Sequence, residues 1–349
     1  MSIFKAVDFD GHEELHFFND QESGLKAIIA FHRRLPAAPS GGGIRMWPYP
    51  SEEAAVADAL RLSRAMTYKL AVSGIRIGSA KSVIIGDPRK DKTEALLRAF
   101  GRVVESFGGR YFCAEDIGIV AEDLTFIAQE TTHVVGLPGQ DPSPGTALGI
   151  LVCLRAAVTH RLGRDSLEGT SVAVQGLGDV GYNLCRLLRD AGAHLVVSDI
   201  VGERVVRAVT ELGATAVDPE ALLFQDVDVL APCALGEVVN DLTIDKIRAK
   251  VICGGANNLL AEPRHGERLA ERSILFVPDY LSNSGGVITV AAIRAGQASF
   301  DAERKIDALH SLCLNFFAEA ERAGISANAG IARFTDRLIL DIYGNRSTA

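Results

Sequence analysis

The chain lacks the features that mark a membrane protein, a disulfide scaffold or a nucleic-acid binder. No uninterrupted apolar run reaches the roughly 18 residues of a membrane span. The opening MSIFKAVDFDGHEE turns acidic where a signal peptide would turn apolar, so a cytoplasmic location without membrane contact is expected. There is no long basic block and the net charge is −8, which argues against nucleic acid as a partner. Six cysteines occur without C-x-x-C and without a histidine at metal-ligand spacing. Cys113, Cys153, Cys185, Cys233, Cys253 and Cys313 are therefore expected as reduced core residues, with no metal and no disulfide. Internal repeats and low-complexity segments are missing as well.

What is present is enough apolar chain for two cores: 349 residues, 48% hydrophobic and 23% charged. Residues 60–135 mix helical patterns, such as EEAAVADALRLSRAMTYKLA, with short apolar runs, such as SVIIGD. From about 170 the rhythm changes. SVAVQG, HLVVSD, DVDVLAP, AKVICGG and SILFVPD recur as short Val-, Ile- and Leu-rich runs between helical or loop stretches, the pattern of βαβ units and a parallel sheet covered on both faces. The Pro- and Gly-rich GLPGQDPSPGTALG at 136–149 is the expected crossing. An α/β chain of two domains follows: residues 1–140 with a returning C-terminal helix at about 328–349, and a Rossmann-type domain at 141–327.

SVAVQ runs into GLGDVG, placing Gly176, Gly178 and Gly181 in G-x-G-x-x-G between a strand and the helical DVGYNLCRLLRDAG. Such glycines allow a tight turn, close backbone approach to a pyrophosphate and close helix packing, while the helix N-terminus offers N–H groups and a positive dipole end. HLVVSDI then ends in Asp199, at the distance where a carboxylate binds a ribose 2′-hydroxyl and repels a 2′-phosphate. NAD is the expected cofactor, with Arg204 as a counter-signal.

YKLAVSGIRIGSAK sets two lysines, Lys69 and Lys81, in glycine-broken apolar chain. Two ammonium groups sharing a pocket repel, so one has a lowered pKa unless an anion lies between them. A lysine so tuned works as a base near neutral pH, and a substrate carboxylate would be the anion. The competing reading leaves both on the surface with their stems covering apolar area. In RYFCAEDIG, Glu115 and Asp116 close an apolar run; Asp116 either exchanges a proton beside the lysine or caps the next turn. Asn257, Asn258 and Asn283, in GGANN and SNSGG, follow strands of the second domain, where open α/β sheets bind ligands, and helix capping is again the alternative.

Taken together, GGIRMWPYPSEEAAVADALRLSRAMTYK, VIIGDPRKDKTEALLRAFGR, GRYFCAEDIG, SVAVQGLGDVGYNLCRLL, DVLAPCALGEVVN, AKVICGGANN and VPDYLSNSGGVI resemble the glutamate, leucine, phenylalanine and valine dehydrogenases, over nearly the whole chain. The resemblance implies a substrate-binding and oligomerising N-terminal domain, a Rossmann-type NAD domain and a cleft between them. It implies reversible oxidative deamination of an apolar L-amino acid, branched-chain or aromatic, to the 2-oxo acid and ammonia, in a homo-oligomer, with an aromatic-specific (Phe or Trp) dehydrogenase as an alternative. It assigns Lys69 to the substrate α-carboxylate, Lys81 to the catalytic base and Asp116 to assisting proton transfer. On the substrate side it adds Gly41, Gly42, Met66, Ala114, Val287 and Val290; on the cofactor side Thr146, Asp179, Val180 and Ala234.

Two departures stand out. The family pattern has glycines where Ser79 and Ala80 precede Lys81, so a left-handed backbone there would be crowded; a catalytically silent relative that only binds nucleotide or amino acid is the alternative this raises. Gly41 stands where glutamate enzymes carry a lysine and leucine enzymes a leucine. Glutamate is therefore expected to be a very poor substrate. The side-chain pocket is expected to be deeper by one side chain, ranking Phe, Trp, Leu and Met above Val and Ala.

Overall fold

The computed structural model describes residues 3–344; positions 345–349 of the expected C-terminal helix lie outside them. The chain forms two compact units, Met1–Asp141 with Leu338–Ala349, and Pro142–Arg337. The second boundary falls about ten residues later than the start expected at 328 and lies inside one helix, Ala327–Tyr343.

The first unit contains β1 (Glu14–Asp20), β2 (Leu25–Arg33), β3 (Ser40–Trp47), α1 (Glu52–Val72), β4 (Gly78–Ile85), α2 (Glu94–Ser106), β5 (Tyr111–Glu115) and α3 (Ala121–Ile127). Among the described residues its sheet runs β1-β2-β4-β3-β5. β2 is antiparallel to β1 and β4, whereas β3 lies parallel to both β4 and β5. Because side chains alternate across a strand, each strand serves two cores. Ile44, Met46, Ala80, Ile84, Tyr111 and Cys113 pack with Phe100 and Leu124 on one face. Ile28, Ala30 and Val83 pack with Ala55, Ala59 and Leu60 of α1 on the other. Burying the Val, Leu, Ile, Phe and Met side chains among them stabilises by about 1.5–3 kcal/mol each. Sequence sets the start of α1 locally: the Ser51 hydroxyl accepts from the Ala54 N–H at 3.2 Å, and Glu52 and Glu53 face the positive end of the helix dipole.

The second unit contains α4 (Ser143–Leu162), β6 (Ser171–Gln175), α5 (Asp179–Asp190), β7 (His194–Ser198), α6 (Gly202–Leu212), β8 (Thr215–Ala216), α7 (Pro219–Leu222) and β9 (Val229–Pro232). It continues with β10 (Val251–Ile252), α8 (Arg264–Glu271), β11 (Leu275–Phe276), α9 (Asp279–Ser282), α10 (Gly285–Arg294) and α11 (Ser299–Ala323). The strands pair in parallel in the order β11-β10-β9-β6-β7-β8. The chain leaves β6 first toward β7 and later returns to β9 on its other side, so the order reverses at β6/β9, where open α/β sheets bind ligands. α4 is long and apolar enough to cross a membrane by length and composition. Its Ile150, Leu151, Leu154 and Ala157 are instead buried, and the helix packs against α5, α10 and α11 as the core helix of its unit.

Candidate active site

In the first unit, strand register gathers charges on the face of the sheet that also carries α1. Gly43, Lys81 and Ala114 sit side by side on β3, β4 and β5. Lys81 Nζ lies 3.1 Å from Asp116 Oδ1, and the other oxygen of Asp116 accepts from Arg45 Nε at 2.9 Å. Arg45 in turn donates to Asp58 of α1 at 3.2 Å, and Asp58 also accepts from Tyr49 and Arg61, each at 2.6 Å. The result is a buried row of alternating charge, Lys81–Asp116–Arg45–Asp58.

Burial lowers the pKa of Lys81; Asp116 opposes this and Arg45 reinforces it, and the balance stays below the usual lysine value. Burial alone would raise the Asp116 carboxyl, but the charges of Lys81 and Arg45 and their hydrogen bonds outweigh it and hold it at about 2. For Arg45 burial works to lower the pKa, and Asp116 and Asp58 overcome it. A lysine with reduced proton affinity, held by an ionised carboxylate, is a base in waiting.

Space beside that lysine comes from a missing side chain. A Cβ on Gly43 would stand 2.9 Å from Lys81 Nζ and 3.0 Å from the Asp116 Cβ. Gly42 faces the other way, and its Cβ would meet the Ala80 carbonyl oxygen at 1.8 Å, so glycine there lets two strands approach. Lys69 and Met66 occupy the last turns of α1, half-buried, and α1 packs on β4, the strand of Lys81.

Two sequence expectations are corrected. The segment Gly78–Ala80 is extended strand, with no left-handed φ at Ser79 or Ala80. Ser79 is accommodated: its hydroxyl meets Thr67 Oγ1 at 2.5 Å and accepts from the Arg33 N–H at 3.1 Å. The extra room expected at Gly41 is also taken. A Cβ there would lie 2.3 Å from Cζ of Phe112, whose ring covers the glycine from the neighbouring strand.

In the second unit the groups are mostly backbone. Gly176 turns with φ 91°, and a Cβ there would strike Ala234 at 2.6 Å; a Cβ on Gly181 would be 2.0 Å from the Gly176 carbonyl oxygen. Both glycines are thus required by the turn between β6 and α5, at the β6/β9 crossing. Gly178 faces open space and begins α5 without a side-chain cap, an arrangement in which the first N–H groups of a helix, here at Asp179 and Val180, can receive an anion. Asp199 follows β7. It accepts from Leu177 N–H at 2.6 Å and Val201 N–H at 2.8 Å, with an Arg204 nitrogen at 3.7 Å, so it braces the glycine turn as well as facing it.

The asparagines also come together. Asn283 Nδ2 donates to Asn257 Oδ1 at 2.8 Å and to the Gly255 carbonyl at 3.1 Å, while the buried Asn283 Oδ1 has no hydrogen-bond partner. Asn258 adopts φ 55° and donates its N–H to Asp279. Thr146 Oγ1 donates to the Pro142 carbonyl and lies against Gly286, the start of the helix that carries Val287 and Val290, both half-buried. The glycine-shaped cradle, the uncapped helix start and the partnerless amide oxygen fit a bound dinucleotide. Sequence reasoning missed Arg45, Asp58 and Phe112. The signal for the first two is a charge inside an otherwise apolar strand and on the packed face of an apolar helix.

Comparison with known proteins finds relatives over nearly the whole chain. Residues 12–134 match the family model described as Glu/Leu/Phe/Val dehydrogenase, dimerisation domain, and residues 140–206 and 200–320 match Glutamate/Leucine/Phenylalanine/Valine dehydrogenase. The chain is 46% identical to a leucine dehydrogenase of Bacillus subtilis, over 99% of this chain and 96% of that one. It is 40% identical to a phenylalanine dehydrogenase of Caldalkalibacillus thermarum, over 96% and 93%. The crystal structure of L-tryptophan dehydrogenase from Nostoc punctiforme superposes with a TM-score of 0.81 at 40% identity, covering 95% of this chain and 97% of that one.

Proposed function

Since the chain belongs to the Glu/Leu/Phe/Val dehydrogenase family and is an amino acid dehydrogenase that works with a nicotinamide cofactor, we propose that it catalyses reversible, NAD-dependent oxidative deamination of apolar L-amino acids. The observation that carries this reading is the buried charge row with bare Gly43 beside the lysine amine. Lys69 holds the substrate α-carboxylate by a charged hydrogen bond. Oxidation at the substrate Cα would be supplied by a nicotinamide held at the glycine turn of the second unit, as hydride uptake. Neutral Lys81 then takes a proton from the water that adds to the imino carbon. As long as Lys81 is charged, Asp116 stays ionised; once Lys81 is neutral, the largest charge lowering Asp116 is gone and its affinity for a proton rises. The pair thus exchanges one proton in steps, which suits protonation of the leaving amine.

Gly176, Gly178, Gly181, Asp179, Val180 and Ala234 would receive the pyrophosphate, and Asp199 the adenosine ribose. Thr146, Asn257, Asn258 and Asn283 would contact the nicotinamide end. Asp199 supports NAD over NADP, because a 2′-phosphate would meet its carboxylate. Glutamate is expected to be a poor substrate: position 41 carries no cation and the Phe112 ring covers it, so a side-chain carboxylate would be desolvated against apolar surface without a partner. The family model's dimerisation domain over 12–134 supports a homo-oligomer.

The test is spectrophotometric: reduced cofactor formed from a panel of L-amino acids, with NAD and with NADP. Turnover of several apolar amino acids with NAD, little with NADP and very little with glutamate is expected. Binding of NAD and amino acid without turnover would make the protein a silent relative instead.

A further inference from the structure

Gly41 and Phe112 face each other across the parallel strands β3 and β5, and two residues farther along the same face lie Gly43 and Ala114. The Phe112 ring reaches back over Gly41: its Cζ and two Cε atoms lie 2.3, 2.7 and 2.9 Å from where a Cβ on residue 41 would be. Phe112 is buried, with 5% of its surface exposed. Two residues of strand span roughly 7 Å. The ring edge is therefore about one side chain away from Gly43, whose own Cβ would touch the amine of Lys81 at 2.9 Å. A substrate whose Cα reacts near Lys81 would project its side chain along this face, over the space between Gly43 and the ring.

We propose that Phe112 is the specificity-determining residue of this site: its ring replaces the side chain absent at Gly41 and forms the end wall for the substrate's apolar group. This rests on the reading of the chain as an apolar amino acid dehydrogenase and deepens it. A wall made by a residue's own side chain at position 41 would be fixed to β3. Here it is a ring on β5 that turns about two torsions, so the depth of the site is set by the Gly41–Phe112 pair and by neither residue alone. Position 41 consequently has no freedom to grow while the ring is in place, because a new Cβ would have to displace it.

The experiment is the ratio of kcat/KM for L-phenylalanine to that for L-valine, with NAD, in wild type, Phe112→Ala, Phe112→Leu, Gly41→Leu and the Gly41→Leu/Phe112→Ala double variant. Thermal melts accompany each. Phe112→Ala should raise the ratio on the order of ten- to a hundredfold, the range for changes of a few methylenes in an apolar pocket. Phe112→Leu should move it in the same direction by less. Gly41→Leu should lose most activity or stability alone, and adding Phe112→Ala should restore it with a ratio returned toward wild type, the non-additivity expected of two residues in contact. If Phe112→Ala does not fold, the direction of the shift in Phe112→Leu decides. An unchanged ratio in folded, active Phe112 variants overturns the proposal while leaving the function intact. A wild type that turns over neither amino acid overturns the functional reading and this proposal with it.

Discussion

In the proposed function the two units contribute groups of opposite kinds. The first uses side chains: Lys81, Asp116, Arg45 and Asp58 form a row of charges whose proton affinities depend on one another. The second uses backbone: a glycine turn, an uncapped helix start and N–H groups braced by one carboxylate. The difference matches the tasks. Moving protons requires groups whose charge can change, so they are buried together and tuned. Gripping a pyrophosphate requires only fixed donors close at hand, so side chains are removed from the approach. Damage should therefore differ in kind, with substitutions in the first half altering rate and pH response and those in the second altering affinity and cofactor choice.

The largest effect is expected from Lys81→Ala. It should lower kcat by about 10²–10⁴-fold or more, the range for general acid–base catalysis, while amino acid binding by calorimetry survives. Next comes Arg45→Met, which leaves Asp116 and Asp58 buried without their shared cation. Denaturant unfolding should show a loss of roughly 3–5 kcal/mol, the cost of breaking a buried charge pair from one side. In the second unit, Asp199→Ala should narrow the preference for NAD over NADP by about 1–3 kcal/mol in kcat/KM, with the preference among amino acids unchanged. A changed amino acid ranking in Asp199→Ala would mean the halves are not separable as described.

How far these features were legible follows from whether their cause is local. The glycine turn at 176–181 could be read directly, because the left-handed Gly176 and the close approach of Gly181 to it lie within six residues and the flanking strand and helix are contiguous with them; the crowding of Gly176 by Ala234 is not local and could not be read. Lys81 and Asp116 stood out as charges in apolar chain, and family resemblance gave them roles. Arg45 and Asp58 did not stand out, since what makes them important is burial between β3 and α1, which joins distant positions. Phe112 was invisible for the same reason. That its ring fills the place of a side chain at Gly41 depends on the register of β3 against β5, and strand register is fixed by tertiary packing. Ser79 shows the converse error: a family departure suggested strain, and an extended backbone with Thr67 as a partner removed it.

In the proposed reaction Lys81 carries the proton, and its neighbours set when it can do so. The pH dependence of kcat/KM in wild type and Asp116→Asn tests this most directly. As a base, Lys81 must be neutral, so activity rises with pH through its pKa, which burial places below the ordinary 10.5. Asp116 opposes that lowering, so replacing its carboxylate with an amide removes an upward influence, and the rising limb should move to lower pH even as the maximal rate falls. A limb that stays in place, or moves to higher pH, would show that Asp116 does not set the proton affinity of the base.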